Sequence, residues 1–238
     1  FIRQTVALAD AVAARKRSSR KIMLSFDEWN VWYKARGTES EQPSGWPVAP
    51  RLIEEVYNHE DALVVGGALI VMMNNCDRVK MACLAQLVNV IAPIMTEPGG
   101  PAWRQTIFHP FSQAAHFARG RVLRPVIDSP TYETEAAGEI PYLCASVVHD
   151  EETGNIAVFA LNRHLEDDME LCVELRGLGQ NRRVTHALEL HHADMKAANT
   201  RDCPNAVAPA ENKAVRIEGE TLIARLKPGS WNVLVCAS

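Results

Sequence analysis

The spacing of apolar residues indicates helices alternating with strands in the first half of the chain. Apolar positions that recur on one face predict a helix over residues 1–14. An apolar run followed by polar and aromatic residues predicts a strand over 21–33, buried on both faces as in a parallel sheet covered by helices. Further helices are predicted over 50–75 and from about 106 to 119. The run 79–89 fits either element, and we favour a strand because it completes a β/α alternation.

The second half of the chain has the pattern of an antiparallel β-sandwich. Short, partly alternating segments separated by turn residues predict seven strands. They cover residues 142–149, 155–161, 169–175, 183–190, 214–217, 221–226 and 231–236. Prolines and a glycine cluster over 121–140, so we place a boundary there. The prediction is an α/β unit over 1–121, followed by an all-β unit over 122–238 that folds by itself.

Composition narrows the class of protein. The 238 residues are 47% hydrophobic and 23% charged, which is ordinary for a globular chain. A formal net charge of -4 argues against sequence-general nucleic-acid binding, and no apolar run approaches the roughly 20 residues that span a bilayer. The six cysteines have neither metal-site nor disulfide-scaffold spacing. We therefore expect reduced, mostly buried thiols and a cytoplasmic location, and we predict no metal and no cofactor.

The segment SFDEWNVWY contains the candidate chemistry. Side chains alternate between the two faces of a strand, so Asp27 and Glu28 point in opposite directions and cannot act as a pair. Three residues share the side of Glu28, namely Phe26, Asn30 and Trp32. A carboxylate beside an amide and an indole at the carboxyl end of a buried strand suits a sugar site in a barrel enzyme. In the alternative interpretation Glu28 binds loop backbone and the tryptophans belong to the core, and spacing alone does not separate the two.

Other reactive residue types are given structural interpretations. His191 and His192 fall on a predicted strand, so their imidazoles point to opposite faces and are not expected to share a metal. Cys83 is expected to be a buried core thiol rather than a nucleophile. Gly66 and Gly67 lie in an apolar helix without a phosphate-binding loop, which favours close packing of the helix on a barrel.

The same segment resembles the one that bears the nucleophilic glutamate in retaining α-L-arabinofuranosidases of glycoside hydrolase family fifty-one. The similarity extends through EDAL, DRVKMACLAQLVN and GGPAWRQT in the same order. PYLCASVVHDEETGNIAVFALNR and PGSWNVLV are similar to the C-terminal β-sandwich of these enzymes. The resemblance thus covers nearly the whole chain. The motifs together are specific for this family, because a chance match of all of them in the same order is not expected.

The resemblance implies a fold and site residues. The family fold is a (β/α)₈ barrel with an appended, jelly-roll-like β-sandwich, so the first predicted strand corresponds to barrel strand seven and the run 79–89 to strand eight. Glu28 matches the nucleophile, and Gln86 matches a glutamine that hydrogen-bonds the arabinofuranosyl ring. Trp32 matches an aromatic residue that lines the substrate pocket, and Asn30 is assigned to substrate binding beside them.

One departure from the family pattern limits the functional inference. The family's general acid/base is a glutamate after an asparagine on strand four, and none of the 27 residues before Glu28 form an Asn-Glu pair. We therefore expect the C-terminal part of an exo-acting enzyme, inactive by itself. The intact enzyme would release terminal arabinofuranosyl groups from arabinoxylan or arabinan oligosaccharides and form a homo-oligomer. The alternative is a non-catalytic carbohydrate-binding or structural β-sandwich module.

Overall fold

The computed structural model describes residues 1–33, 45–46, 48, 50, 53–179 and 181–237. The described residues form the helices α1 (Ile2–Arg15), α2 (His59–Asn74) and α3 (Phe108–Phe117). Their strands are β1 (Leu24–Trp29), β2 (Val79–Leu84), β3 (Ile94–Thr96), β4 (Ala102–Arg104), β5 (Arg121–Leu123), β6 (Thr131–Thr134), β7 (Gly138–Pro141), β8 (Leu143–His149), β9 (Ile156–Asn162), β10 (Met169–Glu174), β11 (Arg183–Leu190), β12 (Ala210–Glu211), β13 (Val215–Glu218), β14 (Thr221–Leu226) and β15 (Ser230–Ala237). Strands greatly outnumber helices in this part of the chain.

Strands β1 and β2 form the parallel pair that the sequence predicts. Their register joins Leu24 to Val79 at one end and Trp29 to Leu84 at the other, so both strands end at the same edge. The first strand is shorter than predicted, because it spans only Leu24–Trp29. Ile22 lies before it and is 56% exposed. Among the described residues β2 is the one strand paired with β1, and no residue of β1 is buried, so the expected burial on both faces is wrong for them.

Helix α2 begins at His59 rather than at residue 50. Asn58 caps it, because its side-chain oxygen accepts a hydrogen bond from the Asp61 N–H at 3.1 Å. The Asp61 carboxylate in turn accepts one from the Asn58 N–H at 2.9 Å. This reciprocal capping box fixes the first turn, and Ile53 and Val56 before it are not helical. The helices predicted at 1–14 and near 106–119 are present as α1 and α3.

All seven strands predicted beyond residue 121 are present. The larger sheet has the order β12-β11-β15-β9-β8-β5, and the smaller one has the order β10-β14-β13. The pairings within both sheets are antiparallel. The sequence did not reveal the hairpins β3-β4 and β6-β7 or strands β5 and β12, because segments of two to four residues are too short to show a period.

The six-stranded sheet lies between two layers. On one face, Phe159, Trp231 and Val233 pack with residues of α2 and α3. On the other face, Leu234 packs with Leu222 and other residues of the three-stranded sheet. Side chains along β15 alternate between these two cores, as the two-residue period of a strand requires. The helices therefore share one apolar core with the six-stranded sheet, and the two sheets share a second one.

Gly66 allows α2 to approach this sheet closely. A Cβ atom built on Gly66 would lie 2.5 Å from Cε3 of Trp231, whose side chain is fully buried. At Gly67 a Cβ atom would meet the flexible end of Leu161, 3.3 Å from its Cδ2. The helix does pack closely here, but on the sheet of the sandwich, so the helix–barrel packing predicted for Gly66 and Gly67 is wrong.

We expect Gly66→Ala to destabilise the chain. Overpacking a rigid ring costs about 1–3 kcal/mol, and the better helix propensity of alanine offsets about 1 kcal/mol of that. The matched control is Gly67→Ala, which gains the same propensity and should be neutral or stabilising. Urea denaturation of both variants measures the difference in free energy of unfolding. Equal stabilities of the two variants would contradict this account of the glycine.

The cysteines are more exposed than expected. Cys76, Cys83, Cys172 and Cys203 are exposed, whereas Cys236 is buried. The prediction of mostly buried thiols, including that for position 83, is therefore wrong. On β2, Ala82 packs against the core, so the thiol of Cys83 points to the opposite face.

The described helices include none with the length and apolar character of a membrane span.

Candidate active site

An open cleft of about 420 Å³ lies at the carboxyl ends of β1 and β2. All four residues that the sequence analysis assigned to the site line this cleft, namely Glu28, Asn30, Trp32 and Gln86. The rest of its described lining consists of Trp29, Ile53, Ala85, Val90 and Ile91. The parallel register explains the juxtaposition, because it brings the ends of both strands to one edge.

Glu28 is the one carboxylate among the described residues that line the cleft. It is the second-last residue of β1, and its side chain is exposed. The neighbouring Asp27 does not line the cleft, and it accepts a hydrogen bond from the hydroxyl of Ser25. Glu28 thus borders the cleft and Asp27 does not, whereas their orientation to opposite faces stays a prediction, because the register of β1 is irregular between Phe26 and Trp29.

Gln86 lies just beyond the end of β2, at the start of a turn that runs to Ile91. Its backbone N–H donates to the Ile91 carbonyl oxygen at 3.1 Å, and the Ala85–Gln86 peptide bond is cis. The N–H of Ala85 donates to the Trp29 carbonyl at 3.1 Å, which ties the turn to the end of β1. The exposed amide side chain of Gln86 thus borders the same cleft as Glu28.

Asn30 holds this turn in place. Its Nδ2 donates to the carbonyl oxygens of Ala85 and Ile91, both at 2.6 Å. Its side-chain oxygen accepts the N–H of Val31 at 2.8 Å. Because both amide hydrogens are engaged with backbone, the contacts favour a role in positioning Gln86 over the predicted direct contact with substrate.

Two tryptophans give the cleft its apolar walls. Trp32 is 49% exposed, so its ring is accessible from the cleft. Trp29 packs beside Phe111 of α3, with ring centroids 6.5 Å apart. The sequence analysis missed Trp29 because strict alternation places it opposite Glu28. It missed Ile53 because no local pattern connects that residue to β1.

The histidine pair lies outside the strand to which it was assigned. Strand β11 ends at Leu190, so the prediction that His191 and His192 occupy a strand is wrong. The ring of His191 faces that of buried His59, with centroids 6.2 Å apart. Burial lowers the pKa of His59, which favours the neutral imidazole. No group of three potential metal ligands occurs among the residues described.

The cleft combines groups that suit a carbohydrate. A carboxylate can act on a glycosidic carbon or its oxygen, an amide can hydrogen-bond hydroxyl groups, and an indole presents an apolar face to sugar C–H groups. Their position at the carboxyl ends of parallel strands is typical of enzymes built on a β/α barrel. The cleft therefore presents the kinds of group that carbohydrate sites use.

Comparison with known proteins identifies the family. Residues 27–230 match the family described as the alpha-L-arabinofuranosidase C-terminal domain. This match covers most of the chain and includes β2 and the last three residues of β1, and the chain belongs to this family.

Two similar relatives carry arabinofuranosidase names. The intracellular exo-alpha-(1->5)-L-arabinofuranosidase of Halalkalibacterium halodurans is 46% identical over 234 residues, which are 98% of this chain and 46% of that protein. The exo-alpha-(1->6)-L-arabinofuranosidase of Bifidobacterium longum is 45% identical over 241 residues, covering 98% of this chain and 45% of that protein. The chain thus spans about half the length of these relatives.

A solved structure agrees with this assignment. The family 51 alpha-L-arabinofuranosidase from Bifidobacterium longum superposes with a TM-score of 0.90 at 39% sequence identity. The match covers 100% of this chain and 46% of that one. The strand-rich fold described above is therefore the fold of the C-terminal part of a family 51 enzyme.

Proposed function

We propose that this chain is the C-terminal part of a retaining, exo-acting α-L-arabinofuranosidase and that Glu28 is its nucleophile. The observation that carries the proposal is the single cleft shared by Glu28, Gln86 and Trp32 at the ends of two parallel strands. Membership of the family supports it, because the matched region begins one residue before Glu28. The names of the relatives supply the reaction class.

In this proposal β1 and β2 are the last two strands of a (β/α)₈ barrel. The boundary falls between residues 1–121 of the barrel and 122–238 of the jelly-roll-like sandwich. Exposed apolar side chains support further strands and helices around this pair, since Ile22 is 56% and Met81 56% exposed. Parallel sheets are normally covered on both faces, so an isolated parallel pair is not expected to be complete.

The proposed mechanism assigns one role each to Glu28, Gln86 and Trp32. Glu28 attacks the anomeric carbon and forms a glycosyl ester, while Gln86 hydrogen-bonds the furanose ring and Trp32 packs on its apolar side. A retaining enzyme needs a second carboxyl group about 5–5.5 Å from the nucleophile to protonate the leaving oxygen and later activate water. Because no second carboxylate lines the cleft among the described residues, we assign this group to the part of the relatives that the chain does not span.

The substrate class we propose is the terminal α-L-arabinofuranosyl group of arabinan or arabinoxylan oligosaccharides. Relatives of nearly equal similarity are named for (1->5) and for (1->6) linkages, so the conserved chemistry is the arabinofuranosyl group and not the linkage. The Halalkalibacterium halodurans relative is named intracellular, which supports a cytoplasmic location.

A chimaera tests the proposed function. This chain replaces the matching 46% of the Halalkalibacterium halodurans relative, and turnover of an aryl α-L-arabinofuranoside is measured. We expect the chimaera to be active and the 238-residue chain alone to be inactive, because loss of a general acid alone costs about 10²–10⁴ in rate. Robust turnover by the chain alone would show that the acid/base is misplaced. A folded but inactive chimaera would favour the non-catalytic module.

A further inference from the structure

We infer that Gln105, which does not line the cleft, is a positioning residue that holds the Gln86 turn against the segment before α2. Its side chain is almost fully buried, at 1% exposure. Its meaning for catalysis rests on the proposed function, whereas its effect on the structure of the cleft does not.

Gln105 joins two segments that are distant in sequence. Its Oε1 accepts the N–H of Tyr57 at 2.9 Å. Its Nε2 donates to the carbonyl oxygens of Glu55 at 2.9 Å and Ala92 at 2.7 Å. A glutamine side chain has two N–H donors and one carbonyl acceptor, so each of its polar groups is used. One buried amide therefore joins the segments that follow Ile53 and Ile91, two residues that line the cleft.

The bond to Ala92 lies one residue from the contacts that shape the cleft. The N–H of Ile91 donates to the Ile53 carbonyl at 2.9 Å, and the Ile91 carbonyl accepts the Gln86 N–H at 3.1 Å. Movement of this segment would therefore move the backbone that presents the Gln86 side chain.

A tyrosine connects the segment before α2 to the residues that follow β1. The hydroxyl of fully buried Tyr57 donates to the Val31 carbonyl at 2.8 Å, three residues beyond Glu28. Since Gln105 binds the N–H of this same tyrosine, the segments after β1, before α2 and after β2 are connected by hydrogen bonds. Removing the glutamine leaves one N–H and two carbonyls without this partner in a buried place, and the cost is local to the cleft.

A second buried glutamine provides a matched control. Gln113 of α3 is 8% exposed, and its Oε1 accepts the indole N–H of Trp231 at 2.7 Å. That bond joins α3 to the sandwich rather than two walls of the cleft. Gln105→Met and Gln113→Met therefore remove the same group from two buried sites that differ in what they connect.

Amide hydrogen exchange of the 238-residue chain tests, without any assay of activity, whether Gln105 holds the Gln86 turn in place. Gln105→Met should accelerate exchange of the Gln86 and Ile91 amides about 10-fold or more, as expected for the loss of a buried hydrogen bond. Gln113→Met should leave these two amides as slow as in the unchanged chain. Unchanged exchange in Gln105→Met, or equal acceleration in both variants, would overturn the inference.

Kinetics of the chimaera test positioning for catalysis. Gln105→Met should lower kcat/KM about 10- to 100-fold well below its melting temperature, because small displacements of site groups are costly. Gln113→Met should leave kcat/KM unchanged. An inactive parent chimaera would contradict the proposed function. The exchange experiment would still show whether Gln105 holds the Gln86 turn in place. Full kcat/KM in an active Gln105→Met chimaera would reject the positioning role even if exchange had accelerated.

A third variant separates positioning from general loss of stability. In Gln105→Glu the introduced carboxyl can donate to one carbonyl when protonated, but repels both when ionised. Burial beside two carbonyl oxygens favours the protonated form. Relative to the parent chimaera, kcat/KM should therefore be retained at acidic pH and lost as the pH rises. A pH profile that parallels the parent would count against the role.

Discussion

Glu28→Gln in the chimaera is expected to lower arabinofuranosidase turnover by a factor on the order of 10⁴ or more. Glutamine keeps the shape of the side chain but has no carboxylate to form the glycosyl ester. The Gln86 turn and both tryptophans remain, so KM should change much less than kcat. The measurement is steady-state hydrolysis of an aryl α-L-arabinofuranoside.

The matched control for this substitution is Asp27→Asn. Asp27 is the adjacent carboxylate, but it does not line the cleft and accepts a hydrogen bond from Ser25. Its loss should leave turnover close to that of the parent chimaera. If Asp27→Asn were the inactive variant and Glu28→Gln the active one, the strand would carry its nucleophile on the other face.

Azide provides a chemical test of the same role. With Glu28→Ala, added azide should attack the anomeric carbon in the space left by the carboxylate and restore part of the turnover. The product should be a glycosyl azide of inverted configuration, because a single displacement replaces the two of a retaining enzyme. A product of retained configuration would show that another nucleophile acts at this carbon.

The sequence predicted those elements whose pattern is local and repeated. Strands such as β9 and β15 are mostly apolar runs of seven or eight residues that are buried almost throughout, so the local pattern identifies them. The start of α2 was misplaced because apolar residues before it continue a helical spacing. The signal that corrects it was present, since Asn58 and Asp61 have the spacing of a capping box.

The site could be predicted only in part for a related reason. Alternation along one strand puts Glu28 and Trp32 on one side, and family resemblance added Gln86. The roles of Asn30 and Gln105 depend on backbone groups that lie 13 to 61 positions away in the chain. No local pattern encodes such pairs, because the fold decides which loop reaches which amide.

Residues 122–238 alone are expected to lack a cooperative thermal transition, which revises the sequence-based expectation that the sandwich folds by itself. Five large side chains of its six-stranded sheet lie in the core that contains α2 and α3, namely Phe159, Leu161, Trp231, Val233 and Val235. Burial of each is worth about 1.5–3 kcal/mol. Their joint exposure would remove an amount comparable to the whole stability of a domain, about 5–15 kcal/mol.

A longer chain provides the comparison. Residues 53–237 keep both helices over the sheet, so they should melt cooperatively and bind little of a hydrophobic dye. Residues 122–238 should keep strand signals in far-UV circular dichroism while binding the dye strongly, because their second core, around Leu222 and Leu234, is unchanged. A sharp transition in the shorter chain at the temperature of the longer one would show that the helices add little to the sandwich. The opposite result would make α2 and α3 part of the folding unit of the sandwich.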